Sequence, residues 1–117
     1  MKIGTRQIQG ITIVDVNGQI KLGEGTAMLR DTIKGLTDKE QKQVLLNLAE
    51  VKYIDSSGIG ELVSAYTSLR KQGGELKLLH LTKQAHDLLL ITKLYTIFEV
   101  MDDEPTAIAA FSVGSKP

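Results

Sequence analysis

The chain has 117 residues, so we expect a single domain over residues 1–117 with a modest hydrophobic core. Fourteen basic residues balance fourteen acidic ones, which argues against a nucleic-acid binder, and the lack of cysteine excludes disulfides and thiolate chemistry. No apolar run approaches the roughly 20 residues of a membrane-spanning helix, and the polar start lacks the apolar core of a secretion signal. We therefore expect a soluble cytoplasmic protein.

The N-terminal region is predicted to form a hairpin or a bulged strand. Residues 6–16 alternate loosely between apolar and polar side chains, and Gly10 allows a tight turn between two strands. Asn17–Gly18 is a second turn signal, after which residues 19–22 could resume as strand or lie in a loop.

A first helix is predicted after the glycine-containing break at residues 23–26. Thr26 is expected to cap it, and its buried face would carry Leu29, Ile33 and Leu36. Residues 37–43 are polar and predict a loop. The apolar run 44–48 is typical of a buried strand, and a connector is expected at residues 49–54.

The second half of the chain alternates between predicted helices and strands. In order, they are a helix ending near Gln72 before Gly73–Gly74, a strand at 76–81, a helix from Lys83 capped by Thr82, a strand at 95–100, and a helix with Pro105 in its first turn. The third helix would bury Ala85, Leu88 and Leu89, and the last Ala107, Ile108, Ala110 and Phe111. Residues 112–117 are expected to be a frayed tail.

This order of elements predicts an α/β fold. Helices that alternate with strands through short loops imply right-handed crossovers between parallel strands. We expect a mixed open sheet of four to five strands, mostly parallel with an antiparallel N-terminal strand, and about four helices.

The segment Asp55–Gly58 lies where the buried strand is predicted to lead into an amphipathic helix. Helix starts carry free N–H groups and a positive dipole end, so chemistry often occurs at this position in α/β proteins. Asp55, Ser56 and Ser57 could simply cap the helix, with Gly58 relaxing the backbone. Alternatively, a serine hydroxyl could accept a phosphate, which would add nearly two negative charges to a chain with no net charge.

Other kinds of site find little support in the sequence. A serine hydrolase would need a base, and His80 and His86 are the only histidines; no Gly-x-Ser-x-Gly elbow is present. The glycine pairs do not continue into a phosphate-binding loop, and the acidic run 102–104 lacks calcium-loop spacing. We expect no catalytic residue, no metal and no cofactor.

Residues 54–60, Ile-Asp-Ser-Ser-Gly-Ile-Gly, follow a strand ending Leu-Asn-Leu at 46–48. This run resembles the signature of bacterial anti-sigma-factor antagonists, the STAS domains. The Gly-Gly-Glu-Leu segment at 73–76 and the helix leading to residues 94–98 fit the same family order. The resemblance therefore covers nearly the whole chain and implies a single STAS domain.

The resemblance implies a protein without catalytic activity that binds an anti-sigma factor, which is also a serine kinase, and so frees a sigma factor. The kinase would use ATP to phosphorylate a serine in the turn and release the antagonist, and a phosphatase would restore it. By position, Ser56 is the implied phosphoacceptor and Ser57 the second choice, while Asp55, Ser57 and Gly58 would shape the turn. The alternatives are a non-switching STAS adaptor in a signalling or transport complex and, more remotely, a small serine hydrolase; a monomer is expected.

One departure from the family pattern concerns the loop before the first helix. Many family members carry an acidic residue where this chain has Lys21, followed here by Gly23-Glu24-Gly25. We expect this loop beside the Ser56 turn, so that Lys21 either alters partner recognition or is a solvated charge. The expected partner-binding residues are Lys21, Gly23, Glu24, Ile59 and Gly60.

Overall fold

The computed structural model describes residues 1–111, and it begins with a β hairpin. Strands β1 (Lys2–Ile8) and β2 (Ile11–Ile20) are joined by Gln9 and Gly10, with φ angles of 53° and 82°. Two positive φ angles are typical of the type I′ turns of two-residue hairpins, so the predicted hairpin and Gly10 turn are confirmed. The predicted turn at Asn17–Gly18 is wrong, because β2 continues through both residues. The expected frayed tail lies outside the described residues.

The remaining elements alternate between helices and strands, in agreement with the predicted fold class. They are α1 (Glu24–Asp38), β3 (Gln43–Ile54), α2 (Ser56–Lys71), β4 (Glu75–Leu79), α3 (Lys83–Ile91), a 3₁₀ turn (Tyr95–Ile97), β5 (Val100–Met101) and α4 (Glu104–Ala110). No helix among residues 1–111 is both long enough and apolar enough to cross a membrane.

Several predicted boundaries are wrong, for reasons that involve neighbouring elements. Helix α1 begins at Glu24, and Thr26 lies inside its first turn, where its hydroxyl donates a 3.2 Å hydrogen bond to the carbonyl of Gly23. The expected connector at 49–54 is the second half of β3, since β2 pairs with it as far as Ile54. The first half of the predicted strand at 95–100 is a 3₁₀ turn, and only Val100–Met101 pairs with β4.

The sheet has the order β1-β2-β3-β4-β5, and only β1 and β2 are antiparallel. Strand β2 pairs with β3 up to Ile20 opposite Ile54. Strand β4 pairs with β3 only up to Leu79 opposite Asn47, because His80 has a φ of 58° and turns away. Residues 48–54 of β3 therefore extend past β4 with one edge unpaired by a strand.

The two faces of the sheet are covered unequally. Helices α1, α2 and α3 supply Leu29, Leu62 and Leu89 to the larger core. On the opposite face, Ala107 of α4 and Phe111, which directly follows α4, belong to a smaller core whose strand residues are Ile11, Ile13, Leu45 and Leu79. The residues predicted to be buried on the last two helices are only partly correct. Four are buried as predicted: Ala85, Leu89, Ala107 and Phe111. Leu88 and Ile108 are partly buried, and Ala110 is exposed, because a seven-residue helix presents few positions to the sheet.

Arg6 on β1 forms ion pairs that connect the hairpin to α4. Its guanidinium contacts the carboxylate of Asp15 at 2.7 Å and that of Glu104, the first residue of α4, at 2.9 Å. Asn47 donates a further 2.8 Å hydrogen bond to Asp15. The hydrogen bonds from Arg6 hold the pKa of the Asp15 carboxyl below its ordinary value of 3.8.

We expect Asp15→Asn to lower the free energy of unfolding at pH 7 by up to about 1 kcal/mol, the upper range for partly exposed ion pairs. A carboxyl whose pKa is lowered by folding stabilises the protein above its unfolded pKa, and this contribution is lost as the pH falls through the folded pKa. The difference in the free energy of unfolding between wild type and Asp15→Asn should therefore become smaller below about pH 3.8. Urea denaturation at several pH values above and below 3.8 measures this difference, with Asp38→Asn at an exposed position as the control. A stability difference that does not change with pH would show that the ion pair is not its cause.

Candidate functional site

The Asp55–Gly58 segment joins the carboxyl end of β3 to α2. Asp55 is the N-cap of α2, with φ −102° and ψ −176°, and its Oδ1 accepts a 2.8 Å hydrogen bond from the Gly58 N–H. This bond pairs one of the N–H groups that a helix start leaves unsatisfied. The capping interpretation is correct for Asp55.

Asp55 also holds the loop that follows β2. Its Oδ2 accepts a 3.1 Å hydrogen bond from the Leu22 N–H, and its own N–H donates to the Ile20 carbonyl at 3.2 Å. The expected position of the Lys21 loop beside the turn is therefore confirmed. One carboxylate fixes both the start of α2 and the chain entering α1.

Ser56 and Ser57 are the first two residues of α2, and both are exposed. Within residues 1–111 neither hydroxyl makes a hydrogen bond, because Asp55 supplies the cap. The serine side chains are thus free to react or to be bound. A phosphate at this helix start would meet the positive end of the helix dipole, which favours negative charge by about 0.3–1 kcal/mol.

Gly58 is required by close packing rather than by its backbone angles. A Cβ atom there would lie 2.6 Å from Ile54 Cγ1 and would overlap the Ile20 carbonyl oxygen. Gly25 in the first turn of α1 similarly lacks room beside the Gln19 carbonyl. The two glycines let both helix starts converge on the end of β2, which explains why the turn and the loop lie together.

The residues expected to bind a partner do not all lie on the surface. Lys21, Gly23, Glu24 and Gly60 are exposed. Ile59 is 1% exposed and packs in the larger core, so the structure gives it a packing role instead.

A hydrophobic residue that the sequence analysis did not select lies in the same loop. Leu22 is 77% exposed and borders a recess of about 250 Å³ together with Lys21 and Glu24. Its backbone N–H is bound to Asp55, so the exposed side chain projects from a fixed position. An apolar residue held in this way is a candidate contact for another protein.

Gln84 is a second residue that the sequence analysis missed. Its side chain accepts a 3.0 Å hydrogen bond from the Ile54 N–H and donates a 2.8 Å hydrogen bond to the Ile54 carbonyl. These bonds act at the residue directly before Asp55. A glutamine in the first turn of a helix carries no local signal for such a contact.

The two histidines lie in other environments. The His86 ring packs edge-on against Tyr95 at 4.8 Å, and His80 occupies the left-handed turn after β4. Among the described residues, neither Ser56 nor Ser57 is hydrogen-bonded to a histidine. In the same part of the chain, no group of three or more acidic or histidine side chains is arranged to hold a metal ion.

Comparisons with known proteins agree with this architecture. The anti-sigma F factor antagonist of Paenibacillus polymyxa is 23% identical over 115 residues, which is 98% of each chain. An anti-sigma factor antagonist from Mycobacterium paratuberculosis has a crystal structure with a TM-score of 0.79 at 20% identity, over 94% of this chain and 92% of that one. The structure of SpoIIAA of Bacillus in its phosphorylated form has a TM-score of 0.72 at 15% identity, over 92% of this chain and 97% of that one. The STAS domain family model matches residues 2–107, and the chain therefore belongs to the STAS domain family.

Proposed function

We propose that this protein is an anti-sigma factor antagonist controlled by phosphorylation of Ser56. The unphosphorylated form binds an anti-sigma factor that is also a serine kinase, and the sigma factor is released in the cytoplasm. The observation that carries the proposal is the exposed Ser56 hydroxyl, which makes no hydrogen bond within residues 1–111 and begins a helix that Asp55 fixes. The relative named as an anti-sigma F factor antagonist supports it.

The charge of a phosphate explains how one modification can stop binding without unfolding the protein. Phosphoserine adds about −1.5 to −2 charges at pH 7, here to a chain of no net charge. The start of α2 tolerates these charges, because its dipole is positive there. The phosphates of the nucleotide and the acidic groups of the kinase would repel them, so the complex dissociates while the fold persists. A phosphatase then regenerates the active form.

The proposed partner surface surrounds the turn. Lys21, Gly23, Glu24 and Leu22 lie on the loop that Asp55 holds, and Gly60 lies one turn beyond Ser56 on α2. A pre-ordered surface lowers the entropy lost on docking, because no loop must be rearranged. Ser57, equally exposed, is the second choice of acceptor.

Release of a sigma factor tests this function. Anti-sigma factors with kinase activity from the source organism are purified with their sigma factors, and this protein is added to each complex. One complex should lose its sigma factor on gel filtration, and protein phosphorylated beforehand should not cause that loss. Binding without release, and without any transfer of phosphate, would favour the second candidate, a non-switching STAS adaptor.

A further inference from the structure

The edge of β3 that extends past β4 is closed at its last residue by a side chain. In a parallel sheet the N–H and C=O of one residue point to the same neighbouring strand. For Ile54 that side lies beyond the end of β4, whose pairing stops at Leu79. Gln84 takes the place of the missing strand, because its amide accepts from the Ile54 N–H and donates to the Ile54 carbonyl.

Gln84 is itself held firmly. Thr82 caps α3 through a 3.3 Å hydrogen bond from the Ala85 N–H, and Ala85 is 1% exposed in the larger core. The backbone that carries Gln84 therefore has a fixed position relative to the sheet. The two hydrogen bonds from Gln84 to Ile54 therefore restrain the end of β3 relative to α3.

The Ser56 turn is consequently held from two sides. On the side of β2, Asp55 bonds to Ile20 and Leu22. On the side of α3, Gln84 bonds to Ile54, two residues before Ser56. Without the Gln84 bonds, the backbone at the end of β3 would be hydrogen-bonded on the β2 side alone.

We infer that Gln84 is a positioning residue for phosphate transfer to Ser56. This inference rests on the proposed function, since it concerns the same serine. Transfer requires the acceptor oxygen close to and in line with the γ-phosphate, and misplacement by about 1 Å can slow such a reaction on the order of 100-fold. Gln84 limits the movement of the turn and so keeps the hydroxyl in a reactive position.

Gln84→Met tests the inference, because it keeps the length of the side chain and removes both hydrogen bonds. With the partner kinase and ATP, kcat for phosphorylation of Ser56 should fall about tenfold or more, with a smaller change in KM. Amide exchange at Ile54 should accelerate in the free protein. Gln84→Asn, which keeps the amide but is one methylene shorter, should show the same loss because it cannot reach Ile54. Lys83→Met, at the preceding position, removes only an exposed ion pair with Asp87 and should behave as wild type.

The outcomes separate the two proposals. Wild type that no anti-sigma kinase phosphorylates overturns the proposed function and the role of Gln84 together. Wild type that is phosphorylated, with both Gln84 variants within twofold of its kcat, overturns the positioning role alone. A purely structural role would lower the melting temperature but leave kcat of the folded protein unchanged, and it would also overturn the inference.

Discussion

Gly58→Ala is expected to lower the free energy of unfolding by roughly 2–3 kcal/mol, the upper part of the range for overpacking a tight interior. The new methyl group would overlap the carbonyl oxygen of Ile20 and lie 2.6 Å from Cγ1 of Ile54. Neither neighbour can move freely, because Ile20 pairs with Ile54 in the sheet and both side chains are fully buried. The start of α2 would have to shift away from β2.

Gly60→Ala is the matched control, two residues further along the same helix. A Cβ at Gly60 meets no heavy atom within 4 Å, and the position is exposed. Alanine should therefore raise the free energy of unfolding by up to about 1 kcal/mol through helix propensity. Urea denaturation followed by circular dichroism compares both variants with wild type. Equal stability of the two would mean that α2 does not approach β2 as closely as described.

Ser56→Asp is expected to weaken binding of the anti-sigma factor by about tenfold or more, which corresponds to roughly 1.4 kcal/mol. The carboxylate imitates part of the charge of a phosphate at the centre of the proposed surface. The melting temperature should stay within a few degrees of wild type, because Ser56 is exposed and an acidic residue suits the start of a helix.

Thr67→Asp adds the same charge about three turns further along α2, at another exposed position. Titration calorimetry with the anti-sigma factor should give this control the affinity of wild type. Equal weakening by both variants would indicate a general charge effect rather than a switch at Ser56. A Ser56→Asp protein that fails to fold would instead make the position structural.

The sequence predicted the fold class well because its strongest signals are local. Gly10 identified the hairpin turn, Thr82 and Pro105 identified helix starts, and Gly73–Gly74 marked the end of α2. The errors occur where tertiary contacts override local preference. Asn17–Gly18 has the composition of a turn but remains in β2, because Asn17 pairs with both neighbouring strands and Gly18 pairs with β3.

The sequence singled out the Asp55–Gly58 turn, but not the hydrogen bonds that hold it in place. Asp55 could be recognised as a cap from its position before Ser-Ser-Gly. Its second bond, to Leu22, and the bonds of Gln84 to Ile54 connect residues about thirty positions apart in the chain. The spacing of apolar and polar residues along the sequence does not predict such long-range contacts. The role of Gly58 was likewise misread as backbone freedom, since only the structure reveals how close Ile20 lies.

Mapping the phosphate shows whether Ser56 is the phosphoacceptor. The protein is incubated with ATP and each anti-sigma kinase of its source organism, then analysed by intact mass and by fragmentation of the peptide that contains Ser56 and Ser57. We expect one phosphate, located on Ser56, and none on the Ser56→Ala variant, which should still bind the kinase. A phosphate on any other residue, or none with a kinase that binds the protein tightly, would contradict it.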